Sequence, residues 1–217
     1  MSHSKAMYTA PDDFTNIIFD LGGVILNIDY ALTIAAFKRL GAPAFDKEYT
    51  QAAQSMLFDS FERGEISETH FRTELCHQLG LHLSDMELDR AWNAMLLDLP
   101  KERLSLLSSL NTSRRIFLLS NTNSIHVRSF ERSIKDVHGL NDLTSVFERT
   151  YYSCEVGMRK PEERIFQMVL EVNGLDAQDT VFIDDSCQHI EGARKVGLHA
   201  YHLTDGETII DLFGQRS

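Results

Sequence analysis

Cysteine is scarce in these 217 residues, and the three present, Cys76, Cys154 and Cys187, are odd in number and far apart. That pattern excludes a disulfide framework and a cysteine-rich zinc site, and it suits reduced thiols. Long hydrophobic runs are also missing: nothing approaches the roughly 18 consecutive apolar residues that a membrane span needs. The polar stretch 1–13 lacks the apolar core of a secretory leader, so the expected location is the cytoplasm and no membrane partner is expected. Basic residues are the minority. Lysine and arginine number 21 against 32 aspartates and glutamates, a formal charge of −11 that repels nucleic acid and anionic lipid at long range. A small anion could settle in such a field only where a local cation or metal offsets it. Internal repeats, low-complexity segments and charge blocks are absent as well.

What remains is ordinary globular material. Hydrophobic residues at 43% and charged residues at 24% match soluble proteins, and the length suits one α/β domain with an insertion. Short apolar, β-branched runs at 15–20, 115–121, 150–153, 180–185 and 198–203 predict strands. Between the later runs lie helical patterns: 161–173 opens on Pro161, carries Ile165, Val169 and Val172, and stops at Gly174, while Val127, Phe130 and Ile134 align after Asn121. Strand and helix alternating from residue 100 onward predict a doubly wound parallel sheet, a Rossmann-like α/β core, with right-handed crossovers. The stretch 30–99 differs, because it holds helical stripes only: Leu32, Ala36 and Leu40; Phe71, Leu75 and Leu79; and Leu88, Trp92 and Met95 after the capping box Ser84 to Glu87. The expected layout is therefore a core from 1–29 and 100–217, with an all-helical cap, 30–99, inserted after the first strand.

In an open parallel sheet, ligands bind beyond the carboxyl ends of the strands, so polar residues that end apolar strands carry the chemistry. Three runs end this way, at Asp20, at Ser120-Asn121 and at Asp184-Asp185, and Arg159-Lys160-Pro161 precedes a helix. An aspartate can attack phosphorus and split one hard displacement into two easier ones, and Asp20 is the candidate. A carboxylate approaches a phosphate dianion only with cationic help. Adjacent acids at a strand end suit a hard, oxygen-seeking ion such as Mg2+.

The order Phe19-Asp20-Leu21-Gly22-Gly23-Val24, Leu119-Ser120-Asn121, Lys160-Pro161 with Ile165-Phe166, and Phe182-Ile183-Asp184-Asp185-Ser186 resembles the four motifs of the haloacid dehalogenase superfamily of hydrolases. The helical insertion lies where that family carries its cap. Phe61-Glu62-Arg63-Gly64-Glu65-Ile66-Ser67, Ser120-Asn121-Thr122-Asn123 and Ile190-Glu191-Gly192-Ala193 further resemble the branch that contains glucose-1-phosphate phosphatases. The resemblance implies a Mg2+-dependent phosphatase that hydrolyses a small phosphorylated metabolite, a sugar phosphate, through an aspartyl-phosphate on Asp20. It implies metal ligands at Asp20, the Gly22 carbonyl and Asp185, with Asp184 binding directly or through water. Lys160 would neutralise phosphate and nucleophile, and Ser120 and Asn121 would hold phosphoryl oxygens. From the cap, Arg63 or Phe61 would read the rest of the substrate if the cap closes over the site.

The sequence departs from the family two positions after the nucleophile, where a second aspartate usually serves as general acid and base and Gly22 stands instead. This favours acidic leaving groups such as an anomeric hydroxyl, and it makes His126 and His189, each in a predicted first helical turn, candidates for the missing proton donor. Cys187 lies near a helix start and reads as a small thiol, and Arg159 reads as a surface residue. Two other functions stay open at this point: a metal-independent haloacid dehalogenase-type hydrolase, and a catalytically impaired regulatory or interaction protein.

Overall fold

A computed structural model describes residues 11–45, 56–204 and 206–214. Its centre is a five-stranded, all-parallel sheet built from β1 (Asn16–Phe19), β2 (Arg115–Ser120), β3 (Arg149–Tyr152), β4 (Thr180–Asp184) and β5 (His199–His202). The strands lie in the order β3-β2-β1-β4-β5. Each boundary falls within a residue or two of the apolar run that predicts it. β1 is flanked on both sides, pairing Ile17 with Ile116 of β2 and with Val181 of β4. A central parallel strand is covered on both faces and reads as continuous apolar sequence, which is why Ile17, Ile18 and Phe19 are all fully buried.

Successive strand residues point to opposite faces, and two cores result. Ile17, Phe19, Ile116, Leu118, Val181 and Ile183 join one, under α5 (Lys101–Leu110), α6 (Ser124–His138) and α10 (Ile209–Phe213). Ile18, Phe117, Leu119 and Phe182 join the other, under α8 (Glu163–Asn173) and α9 (Cys187–Lys195). A four-residue helix α7 (Ser153–Val156) follows β3. The chain runs outward from β1 through β2 to β3 and then returns to β4 on the other side of β1. Carboxyl ends on either side of that reversal form the crevice where α/β sheets bind ligands.

Between β1 and α5 the described elements are helices: α1 (Tyr30–Arg39), α2 (Met56–Glu62), α3 (Glu68–Leu79) and α4 (Asp85–Trp92), the last continued by a 3-10 turn at Asn93–Met95. Their own core is aromatic, with Phe61 stacked on Phe71 at 4.1 Å and Trp92 tilted against both Phe58 and Phe71 at 5.2 Å. The capping box forms, with Glu87 N donating to Ser84 Oγ at 3.3 Å and Ser84 N donating to Glu87 Oε2 at 2.9 Å. Two stripes turn out differently from the sequence pattern. In α1 the buried set is Thr33, Ala36 and Phe37, and Leu32 stays 40% exposed, because Thr33 Oγ1 is fixed between the Trp92 carbonyl and Met95 N while Phe37 stacks on Phe45. In α8, Phe166 packs beside Ile165 and Val169, whereas Val172, in the last turn before Gly174, is 53% exposed.

The helical segment sits against the sheet domain through charge, stacking and one close backbone approach. Arg63 of α2's C-terminal end pairs with Glu162, Arg128 of α6 makes two 2.8 Å hydrogen bonds to Glu68, and His126 stacks on Trp92 with ring planes 6° apart. Gly64, in the turn between α2 and α3, has φ +67°, and a Cβ there would overlap the Cys154 carbonyl oxygen of α7. Gly80 has a similar φ of +64° but open space around it. Gly80→Ala should therefore cost about 1–2 kcal/mol, the ordinary penalty of a left-handed non-glycine residue. Gly64→Ala should cost distinctly more, because the docked turn must also move, and urea unfolding of both variants measures the difference. His126 offers a second test. Burial pushes its imidazole down to about 3, below the usual 6.5, so the folded state holds it neutral and stability falls as pH drops through the unfolded value. Going from pH 7 to pH 5 should remove about 2 kcal/mol through this residue. His126→Gln should flatten the loss measured by urea unfolding at the two pH values.

Candidate active site

β1 and β4 are in register, Phe19 opposite Ile183, so the residues that follow them, Asp20 and Asp184, arrive side by side, and Asp20 N donates to the Ile183 carbonyl at 2.9 Å. Lys160 reaches both. Its Nζ lies 2.6 Å from Asp20 Oδ1 and 2.7 Å from Asp184 Oδ2, and the lysine is fully buried, as is Asp184. Its backbone is clamped by the Asn121 side chain, which accepts from Lys160 N and donates to the Lys160 carbonyl, both at 2.9 Å. The stem of the lysine passes under β4, with Nζ 5.3 Å from the Phe182 ring centroid.

Electrostatics follow from this crowding. Burial lifts the Asp20 carboxyl to about 7, with Asp184 adding to the rise and Lys160 opposing it. Burial would lift Asp184 too, but Lys160 and His189 outweigh it and hold the group down to about 2. Burial disfavours the Lys160 ammonium, yet Asp184 and Asp20 overcome that and keep it charged above its usual range. Asp184 is fully engaged: Oδ1 accepts from Ser186 N at 2.7 Å, and His189 Nδ1 lies 3.0 Å from both oxygens.

Asp185 is different. Its side chain is exposed to the cavity, burial and the neighbouring Asp184 raise its carboxyl, and among the described residues no other side chain bonds to it. Asp20, Asp184 and Asp185 each bring an oxygen within 4.8 Å of the others. Gly23, at φ +78°, lets the loop after β1 approach, since a Cβ there would overlap Asp185 Oδ2. An all-carboxylate set in which one member has no ion-pair partner among the described side chains fits a hard divalent cation such as Mg2+, with Gly22 on the same cavity wall.

The cavity over these groups measures about 250 Å³. Asp20, Gly22, Ser120, Asn121, Lys160 and Asp185, six of the sequence-predicted site residues, line it. Ser120 is buried at the end of β2, while the Asn121 amide is committed to Lys160 as described. Arg63 does not join them. Its guanidinium is held by Asp59 at 2.7 Å and by Glu162, so it ties α2 to the loop before α8 and is not among the residues that line the cavity. Phe61 is 2% exposed within the aromatic core of the helical segment and is likewise away from the cavity.

Other residues that the sequence leaves unmarked or reads otherwise do line it. Arg159 is no free surface residue: Nη1 donates to Asp59 Oδ1 at 2.7 Å, Nη2 lies 2.8 Å from Glu62 Oε2, and the side chain forms part of the wall together with Glu62. His126 and His189 both face the cavity, but His126 is neutral by burial and holds no proton that acid catalysis could use at neutral pH. Cys187 is exposed beside Glu191 and is not part of the lining. The only available signal for Glu62 and Arg159 is their place, Glu62 inside one motif segment and Arg159 beside another, since the contact between them joins residues 97 positions apart.

Known proteins share this architecture. The model of the haloacid dehalogenase-like hydrolase family matches residues 14–197. A D-ribitol-5-phosphate phosphatase from Bacteroides thetaiotaomicron is 29% identical over 191 residues, covering 88% of this chain and 92% of its own. A crystal structure of a HAD family enzyme from the same organism superposes with a TM-score of 0.86 at 34% identity, covering 94% of this chain and 99% of that one. A wild-type complex of that enzyme with magnesium and inorganic phosphate gives a TM-score of 0.79 at 34% identity, over 89% of this chain and 96% of the other. Five parallel strands with helices on both faces, the converging acids at the ends of β1 and β4, and a family match spanning most of the sequence together place this chain in the haloacid dehalogenase-like hydrolase family.

Proposed function

We propose that the protein is a Mg2+-dependent phosphatase that hydrolyses a small phosphorylated metabolite, a sugar or polyol phosphate, through an aspartyl-phosphate on Asp20. The observation that carries this reading is the pair of contacts from the buried Lys160 to Asp20 and Asp184, set beside a third carboxylate, Asp185, with which no side chain among the described residues forms an ion pair. The magnesium complexes of a 34% identical enzyme and the phosphatase names of relatives support it. A metal-independent dehalogenase would have no use for that third acid, and the similar L-2-haloacid dehalogenase, at 16% identity, shares the fold alone.

Each residue then has a chemical task. Asp20 Oδ2, the oxygen not held by Lys160, attacks phosphorus, the phosphorus–oxygen bond to the leaving group breaks, and a water later attacks the same phosphorus to release phosphate and restore the carboxylate. Lys160 opposes the rise that burial imposes on the Asp20 carboxyl and supplies positive charge where phosphoryl oxygens gather. Ser120, buried at the end of β2, lines the cavity where those oxygens would gather. Asp20, the Gly22 carbonyl and Asp185 would hold Mg2+, and Asp184, saturated by Lys160, Ser186 and His189, would act on it through water. The ion would supply charge neutralisation that lets an anion enter a chain of net charge −11. The segment 30–99 acts as a cap that closes the cavity from water.

A panel of phosphomonoesters assayed with Mg2+ and with EDTA tests the reading. Hydrolysis should vanish in EDTA and return with Mg2+. Asp185→Ala should raise the Mg2+ concentration needed for half-maximal activity at least tenfold, whereas Asp184→Ala should chiefly lower stability, by about 3–5 kcal/mol, because it strips a partner from a buried ammonium. Full activity in EDTA, or an unaltered Mg2+ requirement in Asp185→Ala, would contradict it.

A further inference from the structure

We propose that Glu62, Arg159 and His126 form a subsite for the leaving group, and that it recognises the hydroxyls of an uncharged polyol or sugar chain; this rests on the phosphatase reading above. The first observation is a pair of orphaned atoms. Glu62 Oε2 and Arg159 Nε are both buried and both lack a hydrogen-bond partner, although their side chains line the cavity. Arg159 Nη2 stands 2.8 Å from Glu62 Oε2 without the alignment of a hydrogen bond, so the pair balances charge and leaves bonding capacity over. Folded proteins leave few buried polar atoms unsatisfied, and orphans of opposite type in one cavity wall call for a ligand group that is donor and acceptor at once. A hydroxyl is such a group.

The second observation is independent and concerns His126. Its Nδ1 lies 2.8 Å from Asn93 Oδ1, an oxygen that only accepts, so Nδ1 carries the hydrogen and Nε2 is left as a bare acceptor. The ring cannot easily turn away, because it is stacked on Trp92 with centroids 5.1 Å apart. His126 lines the same cavity, and none of the described residues bonds to its Nε2. The wall thus offers a carboxylate oxygen and an imidazole acceptor, together with one donor whose charge Asp59 and Glu62 already answer.

This set discriminates between substrate classes. A second phosphate or a carboxylate on the substrate would face Glu62 and a lone pair, with no uncommitted lysine or arginine among the described lining residues to meet it. A purely apolar chain would pack on Ile28 and Met95 but leave the orphaned atoms unsatisfied. A chain bearing hydroxyls satisfies them, and a cavity of about 250 Å³ limits it to metabolite size.

The test compares kcat/KM for three substrates in Mg2+: a pentitol monophosphate, the bisphosphate of the same chain, and phenyl phosphate. Wild-type protein should favour the monophosphate over the bisphosphate at least tenfold. In His126→Phe, and separately in Glu62→Leu, the ratio of pentitol phosphate to phenyl phosphate should fall at least tenfold, with His126→Gln recovering part of it, because glutamine restores an acceptor. Circular dichroism confirms that each variant is folded, and the comparison of wild-type substrates stands without any variant. A ratio unmoved by both substitutions, or equal use of monophosphate and bisphosphate, would overturn the subsite while phenyl phosphate hydrolysis keeps the phosphatase reading intact. Hydrolysis of none of the three would overturn both.

Discussion

An ammonium group sealed from water has to be compensated where it sits, and Lys160 is compensated twice, by Asp20 and by Asp184. Removing either partner from such a cluster leaves a buried charge that costs several kcal/mol, so the three residues stand or fall together. The rest of the molecule is arranged to let them meet. β1 and β4 are adjacent and in register, which sets the two acids side by side, and Asn121, at the end of β2, grips the backbone on either side of the lysine. One electrostatic constraint thus links three strand ends and the loop before α8.

The same constraint separates the roles of the acids. Asp184 is surrounded by donors and is driven to stay ionised, which makes it the anchor. Asp20 has one oxygen in the cluster and a carboxyl raised by burial, so its reactive form depends on the positive charge around it. Asp185, just beyond the strand, forms no ion pair with any side chain among the described residues, and Gly23 makes room for its carboxylate. Adjacent aspartates in sequence therefore do different work, because one points into the core and the next into the cavity, as successive residues at a strand end must.

Much of this was legible in the sequence, and the reason is local. Apolar runs that stop at Asp20, Ser120 and Asp184 announce both the strands and the polar residues presented at their ends, and the structure brings Asp20 and Ser120 to one cavity, with Asp184 held beside it by Lys160. A long helical stretch without strand patterns between two such runs was equally plain. What escaped depends on contacts between distant segments. Arg63 has the look of a substrate-reading residue until Asp59 and Glu162 are found on either side of it, and Arg159 reads as solvated until α2 of the inserted segment is found docked beside it. The turn of the α1 stripe from Leu32 toward Thr33 and Phe37 reflects Trp92 and Met95, some 60 residues away, whose carbonyl and amide, respectively, the Thr33 hydroxyl bonds. Periodicity cannot report such partners.

The proposed chemistry turns on the identity of the nucleophile. Rapid acid quenching of the protein mixed with a phosphorus-labelled phosphomonoester and Mg2+, followed by peptide mapping, locates any covalent phosphoryl group. The predicted result is an acid-stable, hydroxylamine-labile label on the peptide that contains Asp20, absent from folded Asp20→Asn protein, which should also lose turnover. Label on a different residue, or undiminished turnover by Asp20→Asn, would contradict it.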